Sequence, residues 1–178
     1  MSFNQTNSSS TQGAVNIYNN SQFNNSNNQG LSNNISNERS NTEDDSNLDR
    51  LKSLTKILFI DDDKEFKVVS ILKKAGWKNT KSIEDVDNLD SPQIKDTDIF
   101  FVDIRGVGLS MGFKDEGLGL SKALKEKYPN KKLIIYSSET HGERFHPAFR
   151  LADSLLPKNA EPYEFQVIVE QYSKITHG

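Results

Sequence analysis

Residues 56–63 read Lys56-Ile57-Leu58-Phe59-Ile60-Asp61-Asp62-Asp63, so four apolar residues run straight into three carboxylates. An apolar run this short, without polar alternation, predicts a strand covered on both faces. The pattern returns at Asp98-Ile99-Phe100-Phe101-Val102 before Asp103, at Leu133-Ile134-Ile135-Tyr136 before Ser137-Ser138, and at Ser154-Leu155-Leu156-Pro157 before Lys158. A weaker strand is expected near Thr80 to Ile83.

Between these runs the spacing turns helical. Phe66, Val69 and Leu72 predict a helix over 65–76 that Gly76 stops. A short polar helix with Val86 and Leu89 is expected to break at Pro92. A Gly-rich stretch over 106–119 precedes a helix through Leu120, Leu124 and Tyr128 that ends at Pro129, and another helix is expected around 145–153. The last carries Phe165, Ile168, Val169 and Tyr172 at i, i+3, i+4 and i+7, which makes one apolar face. Five strands alternating with five helices predict an α/β fold, a five-stranded parallel sheet with helices on both faces, because parallel neighbours need crossover connections.

In such sheets ligands collect at the carboxyl ends of the strands. That rule gathers Asp61-Asp62-Asp63, Asp103, Ser137 and Lys158 at one edge. Carboxylates that close repel one another, and burial would raise their pKa values unless a cation compensates. Mg²⁺ suits them, since it prefers carboxylate oxygen and water and leaves positions for a phosphoryl oxygen. Asp61 and Asp62 would hold the metal, Lys158 would supply a fixed positive charge and Ser137 a hydroxyl donor. The inventory fits phosphoryl transfer with Asp103 as the attacking carboxylate, since a carboxylate can form an acyl phosphate.

These strand-end motifs, in this order, resemble the receiver domain of two-component response regulators over roughly residues 56–176. The resemblance implies a flavodoxin-like (βα)5 fold. It also implies that Asp103 is the phosphoacceptor, Asp61 and Asp62 the acid pair beside it on the metal, Ser137 the hydroxyl switch residue and Lys158 the lysine typical of the family. The backbone carbonyl of Arg105 would be a further metal ligand. The implied function is a stand-alone receiver, a signalling domain rather than an enzyme. It would accept a phosphoryl group from a sensor histidine kinase or phosphotransfer protein and signal through protein contacts to a downstream target.

Three features depart from the family pattern. Asn159 follows the lysine where most members have proline, Leu155 stands where a switch aromatic is usual, and the loop from Asp103 to Gly117 is long. They favour an alternative reading, a degenerate receiver that acts as a protein-interaction module. A third reading is a phosphohydrolase resembling the haloacid-dehalogenase type, with Asp61 as nucleophile in Asp61-Asp62-Asp63. Glu65 and the lack of an acidic pair after Lys158 count against it.

Outward from this core, composition sets limits. The 178 residues contain no cysteine, which excludes disulfides, thiolate catalysis and Cys-ligated zinc and makes a cytoplasmic setting the expectation. No apolar run approaches membrane-spanning length, so no membrane association is expected. The 22 basic and 25 acidic residues divide as two and five in residues 1–50 and as 20 and 20 in the rest. A neutral body without a long basic run gives no electrostatic case for nucleic acid.

Residues 1–51 are dominated by Asn, Ser, Gln and Thr, which predicts a disordered tail before a receiver-like domain over 52–178. Val15, Ile17, Tyr18 and Phe23 lie among amide side chains able to stack between identical chains, so self-association through the tail stands beside a plain solvated leader. His141 and His146 are expected to be structural or surface residues.

Overall fold

Strand β1 (Ile57–Ile60) is buried at every position, as is β3 (Ile99–Asp103). These are the two apolar runs that lead into aspartate, and in a computed structural model of the chain they pair in parallel, side by side at the centre of one sheet. The structure describes residues 36–64, 66–138 and 146–178, with backbone alone for 36–43. With β2 (Thr80–Ile83), β4 (Lys132–Ser137) and β5 (Ser154–Pro157) the sheet has five parallel strands in the order β2-β1-β3-β4-β5. This is the flavodoxin-like doubly wound order, with its reversal of direction between β1 and β3.

Alternate residues of each strand point to opposite faces, and the core divides accordingly. Leu58, Ile60, Phe100, Val102, Leu133 and Ile135 pack on one face with Ile94 of α3 (Pro92–Asp96), Leu118, Leu120 and Leu124 of α4 (Glu116–Lys127), and Ala148 of α5 (Pro147–Leu151). Ile57, Phe59, Phe101, Ile134 and Tyr136 pack on the other with Leu72 of α2 (Val68–Lys74) and Phe165, Ile168 and Val169 of α6 (Pro162–His177). Trp77 joins this second layer and is 2% exposed.

Three expectations about elements change. Helix α2 begins at Val68 rather than at 65, and Gly76 at φ +102° follows its end. Pro92 does not break a helix but opens one: it occupies the first turn of α3, where proline's missing N–H costs nothing, behind the Ser91 cap. The boundary expected at 51/52 falls inside a helix, α1 (Ser36–Leu54). Leu51 is fully buried, Leu48 packs against the second layer, and Arg50 Nη2 donates to the His177 carbonyl at 2.8 Å. Those two leucines supply the apolar area that a polar segment otherwise lacks, so α1 docks against α6. Residues 1–35 of the tail expected over 1–51 lie outside the described residues. Among the described residues no helix is long and apolar enough to cross a membrane.

Candidate functional site

Register brings the polar residues together. Ile60 pairs with Val102, which sets Asp61 and Asp103 level at the ends of adjacent strands. Asp103 in turn pairs with Tyr136, and Ser137 with Pro157, so Lys158 follows one step beyond Ser137. One carboxylate oxygen from each of Asp61, Asp62 and Asp103 lies within 4.8 Å of the others. The Lys158 ammonium donates to Asp61 Oδ1 at 3.0 Å and to Asp103 Oδ2 at 2.8 Å, with Asp63 Oδ2 farther off at 3.9 Å.

Burial makes these contacts matter. The side chains of Asp61 and Asp103 are 1% and 7% exposed, whereas Asp62 is exposed. Burial pushes the Asp103 carboxyl above its ordinary range, although Lys158 and the Ile104 amide, 2.7 Å from Oδ1, pull the other way. For Lys158, burial opposes the charge, but hydrogen bonds to Asp103 and Asp61 outweigh it and raise its pKa. The ammonium therefore stays charged. Ser137 is buried at the end of β4, and its carbonyl accepts the Lys158 amide at 2.8 Å.

In the sequence Tyr136 reads only as a strand residue, yet its hydroxyl donates to Asp61 Oδ2 at 2.6 Å. Burial, then the carboxylate beside it, push the phenol pKa far upward, so Tyr136 remains a donor. Its ring stacks on Phe66 at 5.3 Å and meets Phe59, Phe101 and Phe165 at angles near perpendicular. The signal was available, since a tyrosine in a fully buried run must find a partner for its hydroxyl. With Lys158 and the Asp63 amide on Oδ1 and Tyr136 on Oδ2, both Asp61 oxygens accept from protein donors. Tyr136→Phe is expected to cost about 2 kcal/mol, the range for a buried hydrogen bond to a charged group. Chemical denaturation measures this, and a loss below about 0.5 kcal/mol would show that the bond contributes little in place.

The long loop after Asp103 is held by two acids. The Asp85 carboxylate accepts from the amides of Gly108 and of Ser110, the latter at 2.8 Å. Burial opposes its charge, but these amides outweigh it and hold its pKa below the usual range. Glu116 Oε2 accepts from the Gly106 amide at 2.7 Å, and Oε1 faces the Arg105 guanidinium at 3.4 Å. Glu116 sits at φ +47°, a conformation that costs a residue with a Cβ about 1–3 kcal/mol. Gly106 lies against Asp62, and a methyl built on it would come within 2.2 Å of Asp62 Oδ2. At Gly117 a methyl would come within 1.8 Å of the Asp103 carbonyl oxygen, so α4 is seated directly on the end of β3.

All six predicted residues are in the described part. Asp61, Asp62, Asp103 and Lys158 form one cluster, Ser137 adjoins it, and Arg105 lies on the loop beside it. Among the described residues every peptide is trans, including the one between Lys158 and Asn159, where the resemblance would lead one to expect a proline. Leu155, at the aromatic's position, is 51% exposed on β5. His146 caps α5, its Nδ1 accepting from the Ala148 amide, in line with a structural role, while His141 lies outside the described residues.

No family model and no curated protein matches the chain. Solved structures do. NtrX from Brucella abortus in complex with ATP is 22% identical over 69% of this chain, with a TM-score of 0.56. This chain spans only 28% of that protein. The isolated receiver domain of NtrX is 24% identical over 67% of this chain and 98% of its own, with a TM-score of 0.54. A response regulator from Burkholderia pseudomallei, solved with a phosphorylated aspartic acid, calcium ion and citrate, is 18% identical over 68% of this chain and 69% of its own, with a TM-score of 0.51. At these identities the likeness speaks for architecture, and the architecture is that of the response-regulator receiver domains.

Proposed function

We propose that this chain is a phosphoacceptor of the receiver type, in which Asp103 takes a phosphoryl group from a phosphohistidine on a histidine kinase or phosphotransfer protein. The observation that carries the reading is the Lys158 ammonium bridging the buried carboxylates of Asp61 and Asp103, with Asp62 in the same acidic group. The phosphorylated aspartic acid and the calcium ion of the Burkholderia protein support it by likeness.

Asp61, Asp62 and Asp103 lie together, and the Lys158 ammonium pairs with two of them, leaving an excess of negative charge that a hard divalent cation would offset, and an all-carboxylate donor set suits Mg²⁺. Asp61, Asp62 and Asp103 would hold it, with the Arg105 carbonyl as a further ligand. When bound, Mg²⁺ neutralises charge on the phosphoryl oxygens. The residues do the rest. The Ile104 amide and Lys158 orient the Asp103 carboxylate, one of whose oxygens attacks phosphorus. The new O–P bond forms as the donor's P–N bond breaks, and the imidazole leaves with the electron pair. Lys158 and the Ser137 hydroxyl then meet the oxygens of the transferred group.

Incubation with Mg²⁺ and acetyl phosphate, followed by intact mass measurement, is expected to add one phosphoryl group to the wild type and none to Asp103→Asn. An equal adduct in both, or none in either, overturns the assignment.

The exposed Leu155 favours a second reading, a degenerate receiver that binds its partners regardless of phosphorylation. The same incubation discriminates: a folded wild type that takes up no phosphate favours the interaction module.

A further inference from the structure

We infer that Glu116 is a positioning residue for the metal centre, acting through the peptide that joins Arg105 to Gly106; the inference rests on the receiver reading above. A trans peptide is planar, with N–H and C=O directed oppositely. Donation of the Gly106 amide to Glu116 Oε2 at 2.7 Å therefore orients the Arg105 carbonyl as well, and turns it away from Glu116. This is the carbonyl expected among the metal ligands.

Three further observations set Glu116 apart from an ordinary loop acid. Its φ of +47° is the only positive value at a non-glycine among the described residues, so the backbone takes a costly conformation where glycine would be free of strain. Its other oxygen faces the Arg105 guanidinium, so both ends of the Arg105-Gly106 step answer to one carboxylate. Its neighbour Gly117 donates to the Ile104 carbonyl at 3.0 Å and lies against the Asp103 carbonyl. Residues 103–106 and 116–117 thus form a clasp that closes the long loop on itself beside the carboxylates, with Gly106 against Asp62. Glu116 lies outside the group of three acids, so its role is to hold a ligand rather than to be one.

The test is an Mg²⁺ titration of the ¹⁵N-labelled full chain, followed by amide resonances including that of Gly106. Glu116→Gly removes the carboxylate and relieves the backbone, and is expected to weaken Mg²⁺ binding about tenfold or more, the usual cost of losing an outer-shell partner. Glu116→Gln keeps a carbonyl oxygen to accept the Gly106 amide and is expected to retain most of the affinity. Glu116→Asn tolerates positive φ but is too short to reach Gly106, and should match the glycine variant.

Wild-type affinity in both the glycine and asparagine variants overturns the inference, as does an equal loss in the glutamine variant. A role confined to stability would lower the unfolding midpoint without moving the Mg²⁺ affinity, and that result overturns it too. Absence of any Mg²⁺-induced shift in the wild type overturns the metal reading itself, and the inference with it, which separates the two failures.

Discussion

Lys158→Met is expected to destabilise the protein by about 3 kcal/mol at neutral pH, the lower end of the range for breaking a buried ion pair from one side. Methionine keeps the apolar stem, while the charge between Asp61 and Asp103, which also lies 5.7 Å from the centre of the Phe66 ring, is lost. The lower end applies because Asp103 can escape by taking up a proton. Burial already raises its pKa, and losing the ammonium raises it further. A carboxyl with a raised folded-state pKa contributes stability that is fully present below its unfolded pKa and is lost as pH rises through the folded one. The deficit of the variant should therefore be largest near pH 7 and shrink toward pH 4. Urea unfolding at several pH values measures this, and a deficit independent of pH would mean that Lys158 acts by packing alone. Phosphoryl uptake from acetyl phosphate should fall about 100-fold or more, as when one preorganised donor to a developing charge is removed.

Gly117→Ala carries the second large effect. The added methyl would meet the Asp103 carbonyl oxygen at 1.8 Å and the Ile104 Cα at 3.0 Å, and both are backbone atoms that cannot rotate away. Relief requires α4 to move off the end of β3, which pulls on Leu118, Leu120 and Leu124 in the core. Overpacking typically costs 1–3 kcal/mol, and a backbone obstacle puts this case at about 3. A midpoint lowered by roughly 10 °C is expected for a chain of this size. Phosphoryl uptake should slow as well, because the carbonyl that is struck belongs to Asp103, the proposed acceptor. A variant melting within about 2 °C of the wild type would contradict the seating of α4 described here.

Much of this was legible in the chain. A fully apolar run such as Ile57–Ile60 followed by aspartate predicts a central parallel strand, because only a strand covered on both faces can afford no polar alternation. Once five such strands are accepted, crossover handedness and the strand-end rule bring Asp61, Asp103, Ser137 and Lys158 to one edge without coordinates. Local signals were weaker guides where one residue type has two uses. Pro92 reads as a breaker from one side and a helix opener from the other, and the Ser91 cap decides between them. Helix α1 was not legible because its composition is polar almost throughout, and its apolar contribution is little more than Leu48 and the buried Leu51, on a helix that meets α6 over a hundred residues later.

By itself, then, the order of residues determined the architecture, the parallel direction of the strands and the edge at which the chemistry gathers, since periodicity and run length record burial directly. Only the tertiary structure decided that Tyr136 donates to Asp61, that Lys158 bridges two buried carboxylates, and that Glu116 bends into an unfavourable backbone region to hold the loop. Such partnerships join groups tens of positions apart, and what selects them is strand register and the directions of individual bonds, which no local pattern encodes.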